Sequence, residues 1–258
     1  KELNVTRTGI VVSVAACLLI SVSMSFAQDM PPGAVVQVLP CTLNQGYTVQ
    51  DAVRVARSLR RDENSPNAAF IREPLNVDPT FSDRYDLVGA LYYPSFSDLI
   101  SRRDAEQADT SPGMAPRTRL QDVMTCNFAA SIIRFSRAIP KTDGFTGGET
   151  LMTVRSCELD EGRTVSDAFE FVQGIAAAYR AEDSNLLMQV TVPRLGNRRG
   201  RPAGARLTIN TVASTSTAMA ERLDLTSGGF NPTAGLTSPM SCSVPALWRT
   251  YATYRRSN

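Results

Sequence analysis

The chain has 258 residues, and its 27 lysine and arginine residues against 25 aspartate and glutamate residues give a net charge of +2. This near balance excludes a polycation or a polyanion, and the 43% of apolar residues is enough for the packed core of one large domain or two small ones. The chain contains no histidine, which excludes Ser-His-Asp and Cys-His catalysis and any histidine-ligated metal or haem.

The N-terminal segment has the layout of a secretory signal. A basic start precedes an apolar run over residues 9–22, and small residues at positions 25 and 27 follow it. The run is shorter than the roughly 20 residues that span a bilayer. We therefore predict that residues 1–27 are a cleaved signal peptide, and that the mature protein is periplasmic or secreted with no stable membrane insertion. Lipoprotein-type cleavage before Cys17 is the alternative.

Two segments of the chain repeat each other. Residues 41–52 (CTLNQGYTVQDA) align with residues 157–168 (CELDEGRTVSDA), and seven of the twelve positions are identical. Self-similarity at an offset of 116 residues indicates a duplicated domain of ordinary size. We place the first domain at residues 34–140 and the second at residues 150–256.

Both halves predict the same succession of strands and helices. In each half a first strand leads to a helix capped by a threonine, Thr48 or Thr164, with an aspartate three residues later. Two strands, a second helix and a last strand follow. The predicted strands lie at 34–41, 68–77, 85–93 and 127–138 in the first half, and the later ones of the second half at 186–195, 206–213 and 243–254. This β-α-β-β-α-β order is the ferredoxin-like arrangement.

Four cysteines remain after the signal segment, and their spacing predicts two disulfides. Cys41 and Cys126 are 85 residues apart, as are Cys157 and Cys242. Of the three possible pairings, only this one links each half to itself, and a ferredoxin-like sheet brings the end of its first strand to the start of its fourth. A four-thiolate zinc site is disfavoured because no Cys-x-x-Cys pair is present. We expect no metal and no cofactor.

The halves resemble the dimeric α+β-barrel superfamily, which includes antibiotic-biosynthesis-monooxygenase-like domains. The resemblance rests on residues 41–52, on their copy at 157–168, and on YDLVGALYYPSF at 85–96, and it covers nearly all of residues 34–256. It implies an α+β fold of two tandem ferredoxin-like βαββαβ domains that form an intramolecular, pseudo-dimeric α+β barrel. Haem-degrading members of the superfamily usually rely on a histidine ligand, which this chain lacks.

Five polar or aromatic residues on predicted strands are candidates to line a ligand pocket. Their phenol, guanidinium, amide and indole groups could position a small molecule, and they are Tyr85, Tyr92, Arg134, Asn210 and Trp248. Alternation along a strand sends neighbours to opposite faces, so a shift of one residue would reverse the assignment of any of them. Packing of Trp248 between sheet and helix, or between the two sheets, is the simpler alternative.

An arginine-rich segment at residues 194–206 lies between two predicted strands of the second half. Its side chains could bind phosphate, a sulfated sugar or an acidic protein surface, and the candidates are Arg194, Arg198, Arg199 and Arg201. A solvated hairpin loop is the alternative. No aromatic residue is interleaved with these arginines, which argues against a nucleic-acid partner.

The sequence favours an exported barrel protein that binds a small molecule or a partner protein and needs no catalysis. One alternative is a cofactor-independent, monooxygenase-like barrel enzyme acting on an aromatic or quinone-like substrate. Another is a subunit of an extracellular assembly. A buried cavity lined by the polar candidates would favour the enzyme, whereas a tightly filled interior would favour the binding protein.

Overall fold

The computed structural model describes residues 33–63, 65–108, 115–139, 148–196 and 205–256. The strands are β1 (Ala34–Leu43), β2 (Ala68–Asn76), β3 (Leu87–Tyr93), β4 (Met124–Cys126), β5 (Ile132–Ile139), β6 (Glu149–Leu159), β7 (Leu187–Leu195), β8 (Arg206–Val212), β9 (Met240–Cys242) and β10 (Ala246–Arg255). The helices are α1 (Val49–Ser58), α2 (Pro79–Ser82), α3 (Phe96–Ala108), α4 (Ala115–Val123), α5 (Val165–Ala181) and α6 (Ser216–Ser227).

The strands form one antiparallel sheet that closes into a barrel. The order of the eight longer strands around the ring is β10-β2-β3-β1-β5-β7-β8-β6, and β6 pairs with β10 to complete it. The short strand β4 pairs with the end of β1, and the short strand β9 pairs with the end of β6. Closure leaves the eight longer strands without a free edge, and it brings the first half of the chain against the second along β5–β7 and β10–β2.

Helices cover the outer face of the barrel. Ala52 and Val53 of α1 are buried in one cluster with Leu39 of β1, Ile71 of β2 and Tyr251 of β10. A second cluster joins β1, β3 and β5 to α3 and contains Val35, Tyr93, Leu99 and Ile133. Because strand residues alternate between faces, the other half of each strand's side chains points into the ring.

Two helices of the barrel begin at the same local device. Thr48 accepts a hydrogen bond from the backbone of Asp51, whose carboxylate accepts the Thr48 backbone N–H in return. Thr164 and Asp167 form the same capping box at the start of α5. These reciprocal bonds satisfy N–H groups that the first helical turn leaves free, so both helices start where the sequence predicts.

The last strand of each half is interrupted, which differs from the prediction. The strand expected at 127–138 begins only at Ile132 as β5, because the residues before it form a short turn in which the Asn127 side chain accepts a hydrogen bond from the backbone of Ala130. The strand expected at 243–254 begins at Ala246 as β10, after Pro245. The short strands β4 and β9 precede these two turns. A side chain that satisfies a backbone N–H, and a proline that has none, both compete with continuous strand pairing.

Both pairs of cysteines that the sequence favours are joined. Cys41 of β1 is bonded to Cys126 of β4, and Cys157 of β6 is bonded to Cys242 of β9. Within each pair the two cysteines also face each other directly in the strand register. Each bond therefore links a short strand to the end of the long strand with which it pairs. None of the helices in the described part of the chain has the length and apolar character needed to cross a bilayer.

Candidate ligand site inside the barrel

Strand register determines which side chains enter the barrel. On β1, Val35 packs outward with Leu99 of α3, so the next residue, Val36, points inward. Val36 pairs with Tyr92 on β3 and with Arg134 on β5. Residues paired across strands share a face, and Tyr92 and Arg134 therefore point into the ring.

The other strands contribute further polar residues to the interior. Ile71 packs outward against α1, so its neighbour Arg72 points inward from β2. On the opposite side of the ring, Gln189 of β7 and Asn210 of β8 pair with each other. Gln189 also pairs with Ala138, which lies on the same face of β5 as Arg134. Arginine, tyrosine, glutamine and asparagine side chains from both halves of the chain thus converge in one space.

Hydrogen bonds link these residues across the two halves. The Nη2 atom of Arg72 donates to the Tyr92 hydroxyl at 2.8 Å, and that hydroxyl donates to Oε1 of Gln189 at 3.5 Å. Arg134 donates from Nη1 to the Thr208 hydroxyl at 3.0 Å. The Asn210 amide donates to the same Gln189 oxygen at 3.5 Å. We call Arg72, Tyr92, Arg134, Gln189 and Asn210 the interior polar cluster.

Several donors of the interior have no hydrogen-bond partner among the described residues. They belong to inward-facing side chains and are Nε of Arg72, Nε of Arg134, Oγ of Ser136 and Nε1 of Trp248. Native proteins pair nearly all buried polar atoms with protein, water or ligand. Tyr92, Arg134 and Trp248 keep part of their surface accessible although they face the inside of a closed ring. These inward-facing side chains are therefore the ones to which a ligand could supply the missing hydrogen-bond partners.

The charge of the interior is positive. Burial lowers the pKa of Arg134 to about 10, and the nearby Arg72 contributes to the decrease because like charges repel. Arg134 is still protonated at neutral pH, since its pKa stays well above 7. The Arg134 guanidinium consequently carries its charge at a buried position close to Arg72.

Aromatic side chains flank the cluster at the end of the barrel where β2 ends and β10 begins. Trp248 of β10 pairs with Pro74 of β2, two residues from Arg72 on the same face, so Trp248 and Arg72 are diagonal neighbours. The Trp248 ring packs edge-on against Phe81 of α2, with 5.2 Å between ring centroids. Phe81 in turn contacts Tyr85 at 5.6 Å. The interior therefore combines cationic, hydrogen-bonding and aromatic surface.

The structure brings together some of the residues proposed from sequence and separates others. Tyr92, Arg134 and Asn210 belong to the interior polar cluster, and Trp248 lies beside it. Tyr85 was expected on the third strand, but β3 begins at Leu87 and Tyr85 lies in the preceding turn, where its backbone N–H is bonded to Phe81. Tyr85 thus reaches the site only through the Phe81 ring.

The arginine-rich segment remains largely untested. Arg194 is exposed at the end of β7, and Arg198, Arg199 and Arg201 lie outside the described residues. Gly196 adopts a positive φ of 77°, and a side chain there would lie 2.3 Å from the Ser131 carbonyl oxygen. The close approach of β7 to the start of β5 thus depends on a glycine.

Two residues of the interior polar cluster, Arg72 and Gln189, were not proposed from sequence. Arg72 lies in the pattern Phe70-Arg72-Pro74 on one face of β2, and this alternation is visible in the sequence. The sequence does not show whether that face points into the barrel or toward solvent. Arginine on a predicted strand is usually assigned to solvent, and only closure of the ring makes the assignment inward.

A second polar group lies on the outer face of the sheet, beneath α1. The buried Tyr251 hydroxyl donates to Oε2 of Glu73 at 2.8 Å and accepts from the Gln50 amide at 2.9 Å. Burial raises the pKa of Tyr251, and the neighbouring Glu73 raises it further. These bonds attach α1 to β2 and β10, and we interpret the group as structural.

Other features of the described residues do not indicate a site. A surface cleft is lined by residues that include Arg163, Asp167, Phe171 and Leu236, and none of the sequence-derived candidates lines it. In the parts of the chain that the structure describes, no group of three or more cysteine, aspartate or glutamate residues is placed to hold a metal ion. The interior polar cluster is therefore the best-supported candidate site.

Comparison with known proteins gives similarity of fold only. No family model and no curated protein sequence matches the chain. A candidate monooxygenase from Lactobacillus acidophilus NCFM is similar over 86% of this chain and 95% of that chain, with 9% identity and a TM-score of 0.49. An anthrone oxidase-like protein is similar over 88% and 95%, with 11% identity and a TM-score of 0.44. A candidate chlorite dismutase is similar over 86% and 96%, with 11% identity and a TM-score of 0.44.

These comparisons correct one expectation from the sequence. The chain forms a closed ring of antiparallel strands with helices on its outer face, which agrees with the α+β barrel expected from the sequence. The sequence favoured a protein that needs no catalysis. That expectation is contradicted: the solved structures to which this fold is similar are named for enzymes.

Proposed function

We propose that the chain is a monooxygenase-like barrel enzyme that works without a cofactor and binds an aromatic or quinone-like substrate inside the barrel. The observation that carries the proposal is the convergence of Tyr92, Arg134 and Asn210 with the Trp248 indole in the interior of a closed ring. Polar donors beside an aromatic wall suit a flat substrate that carries oxygen atoms.

The chemistry must come largely from the substrate, since the chain has no histidine and two lysines, Lys1 and Lys141. A methylene group that is conjugated through aromatic rings to a carbonyl group, as in an anthrone, can lose a proton to give an enolate. The enolate passes two electrons to O₂, and the methylene carbon becomes a carbonyl while the second oxygen atom leaves as water. The balanced reaction is R₂CH₂ + O₂ → R₂C=O + H₂O.

The role of the protein in this reaction is electrostatic. The guanidinium groups of Arg72 and Arg134 lie where they can stabilise the enolate oxygen, and stabilising the anion lowers the pKa of the substrate C–H. Asn210 and Tyr92 offer further polar contacts, and the aromatic surface at Trp248 orients the ring. Ionisation then needs no strong base from the protein.

We further propose that the chain is an exported duplication of one ferredoxin-like unit, with domains at 34–140 and 150–256 and residues 1–27 removed as a signal. Matching features of the two halves support this. The strand orders β2-β3-β1-β5 and β7-β8-β6-β10 correspond, and each half has one capping box and one disulfide of 85-residue separation. The two disulfides favour an oxidising compartment.

Oxygen consumption tests the proposed activity. The protein, with no added cofactor, is incubated with anthrone, whose methylene group the reaction would convert to a carbonyl, and O₂ uptake is followed with product mass after subtraction of autoxidation. Arg134→Gln is expected to lower kcat/KM by about tenfold to a hundredfold, as loss of an oxyanion-stabilising donor does. Arg137→Gln is the matched control, because Arg137 lies on the same strand and faces the opposite side. No uptake above autoxidation, or equal losses in both variants, would contradict the proposal.

A further inference from the structure

The inward-facing charges of the barrel are not balanced by carboxylates. The acidic residues within the eight longer strands are Glu73, Glu149 and Glu158. Glu73 lies on the outer face with Tyr251, and Glu149 pairs with Tyr251 in the register, so it shares that face. Glu158 is exposed at the end of β6, where it is paired with Arg206 at 3.7 Å. Deeper than this rim, the described strands place Arg72 and Arg134 inside the ring and no carboxylate. Arg255, at the last position of β10, shares the inward face and lies over the Phe70 ring.

Unpartnered donors accompany this excess of charge, and the Nε atoms of Arg137, Arg222 and Arg249 outside the ring are also without a hydrogen-bond partner among the described residues. Buried cations in proteins are normally paired with an anion, and the Nε atoms of Arg72 and Arg134 have no partner among the described residues. The Ser136 hydroxyl and the Trp248 indole N–H, both inward-facing, are also without one. Guanidinium groups match the planar, two-oxygen geometry of a carboxylate.

The two arginines are held close to each other by the protein itself. Their mutual repulsion is one cause of the lowered pKa of Arg134, and the Tyr92 hydroxyl fixes the position of Arg72. An anion between the two guanidinium groups would relieve the repulsion. Beside them, Trp248 and Phe81 provide aromatic surface at the end of the barrel.

We propose that the barrel interior binds an aromatic carboxylate, with its carboxylate between Arg72 and Arg134 and its ring toward Trp248. This inference deepens the proposed function, on which it rests, by assigning a fixed negative charge to the substrate. One carboxylate balances only one of the two guanidinium charges, so a positive charge remains to stabilise the enolate oxygen. Neutral anthrone then contains the reacting part of the substrate but lacks the carboxylate that would bind between the two arginines. An inorganic oxyanion is the competing occupant, and it would satisfy the arginines without using the aromatic surface.

Binding of benzoate and its neutral isostere benzamide tests the inference without any turnover. Trp248 is the single tryptophan of the chain, so its fluorescence, excited at 295 nm where both probes are transparent, reports on the site. Titrations at constant ionic strength, with calorimetry in parallel, are expected to show at least tenfold tighter binding of benzoate than of benzamide. Inorganic phosphate is expected to bind more weakly than benzoate and to change the fluorescence little.

Variants locate the binding. Arg72→Gln and Arg134→Gln are expected to reduce benzoate affinity to that of benzamide, and Arg134→Lys to retain part of the preference. Arg137→Gln, on the outer face of the same strand, should bind benzoate as the parent protein does. Circular dichroism identifies any variant that fails to fold, and the comparison of benzoate with benzamide on the parent protein needs no variant.

Three results would overturn the inference. They are equal affinity for benzoate and benzamide, phosphate binding as tight as benzoate binding, and equal losses in Arg134→Gln and Arg137→Gln. The experiments distinguish failure of this inference from failure of the proposed oxygenase activity. Benzoate preference without oxygen uptake supports the anion site and contradicts the oxygenase, whereas oxygen uptake from neutral substrates without benzoate preference does the reverse.

Discussion

At the scale of single residues, Arg134 shows a conflict between stability and function. Its guanidinium group is charged at neutral pH in a space where burial and Arg72 both disfavour the charge. It donates to Thr208 but meets no carboxylate among the described inward-facing residues. Residues that lower stability and persist at a polar interior site are typical of functional sites.

Replacement of Arg134 by methionine is expected to stabilise the protein. The folded-state pKa of about 10 lies below the ordinary value for arginine, so the folded state binds its proton less tightly than the unfolded state. The cost is fully present below pH 10 and is relieved as the pH rises from 10 toward the ordinary arginine value. Arg134→Met should therefore raise the free energy of unfolding at pH 7 by about 1–3 kcal/mol.

Urea unfolding at pH 7 and at pH 10.5 measures this effect. The advantage of the Arg134→Met variant should shrink at the higher pH as the parent arginine loses its proton. The groups that act on the Arg134 charge are Arg72 from β2 and Tyr92 from β3. A variant that is less stable than the parent at pH 7 would show that the guanidinium contributes more through its bond to Thr208 than its burial costs.

At the scale of elements, the paired capping boxes explain why α1 and α5 begin at equivalent positions of the two halves. Hydrogen bonds from Thr48 lower the pKa of Asp51, and those from Thr164 lower the pKa of Asp167. A lowered carboxyl pKa stabilises the folded state above the ordinary range of aspartate. That contribution is lost as the pH falls through the lowered folded-state value.

Removal of either capping threonine is expected to destabilise the protein. Thr48→Ala and Thr164→Ala should each lower the free energy of unfolding by about 1 kcal/mol at pH 7, because the first helical turn loses a hydrogen-bond acceptor. The loss should decrease toward pH 3 as the aspartates become protonated. Thermal and urea unfolding measure the loss of stability. Glu170→Ala, on the exposed side of α5, is the control and should change the free energy of unfolding by no more than about 0.5 kcal/mol. Threonine variants as stable as this control would contradict the assignment of the caps.

At the scale of the whole molecule, closure depends on strands that are far apart in sequence. β10 pairs with β2 of the first half and with β6 of the second, and β5 pairs with β7. Such non-local pairing is slow to form and entropically costly. The disulfides reduce this cost, because each one joins chain segments 85 residues apart within one half.

Loss of a disulfide should therefore be among the most destabilising changes available. The double variant Cys41→Ser/Cys126→Ser, or its counterpart at Cys157 and Cys242, is expected to lose about 4–5 kcal/mol in the chain-entropy model for a loop of this length. Urea unfolding measures the loss, and reductant should have no further effect once both pairs are replaced. Non-reducing peptide mapping that finds free thiols or a bond between the halves would contradict the pairing.

Local chemistry in the sequence accounts for several features of the structure. The helix starts after Thr48 and Thr164 are predictable because a cap and its aspartate lie within one turn. The cysteine pairs are predictable because equal spacing in a repeated chain leaves one self-consistent pairing. The presence of polar residues such as Tyr92, Arg134 and Asn210 on strands is likewise predictable from the strand pattern.

Only the tertiary structure decides where those side chains point and what they meet. The sequence of a strand does not show which of its faces is inward, so nothing in it marked Arg72 as an interior residue, and the start of β3 at Leu87 excluded Tyr85 from its strand. The expectation that no catalysis is needed is contradicted by the names of the solved structures with a similar fold, and composition and motifs alone do not reveal such a similarity. Sequence determined the local turns, caps and crosslinks, since these depend on neighbours along the chain. Closure of the ring determined the site, since pairing of β10 with β2 and β6 places arginines from distant strands in one interior.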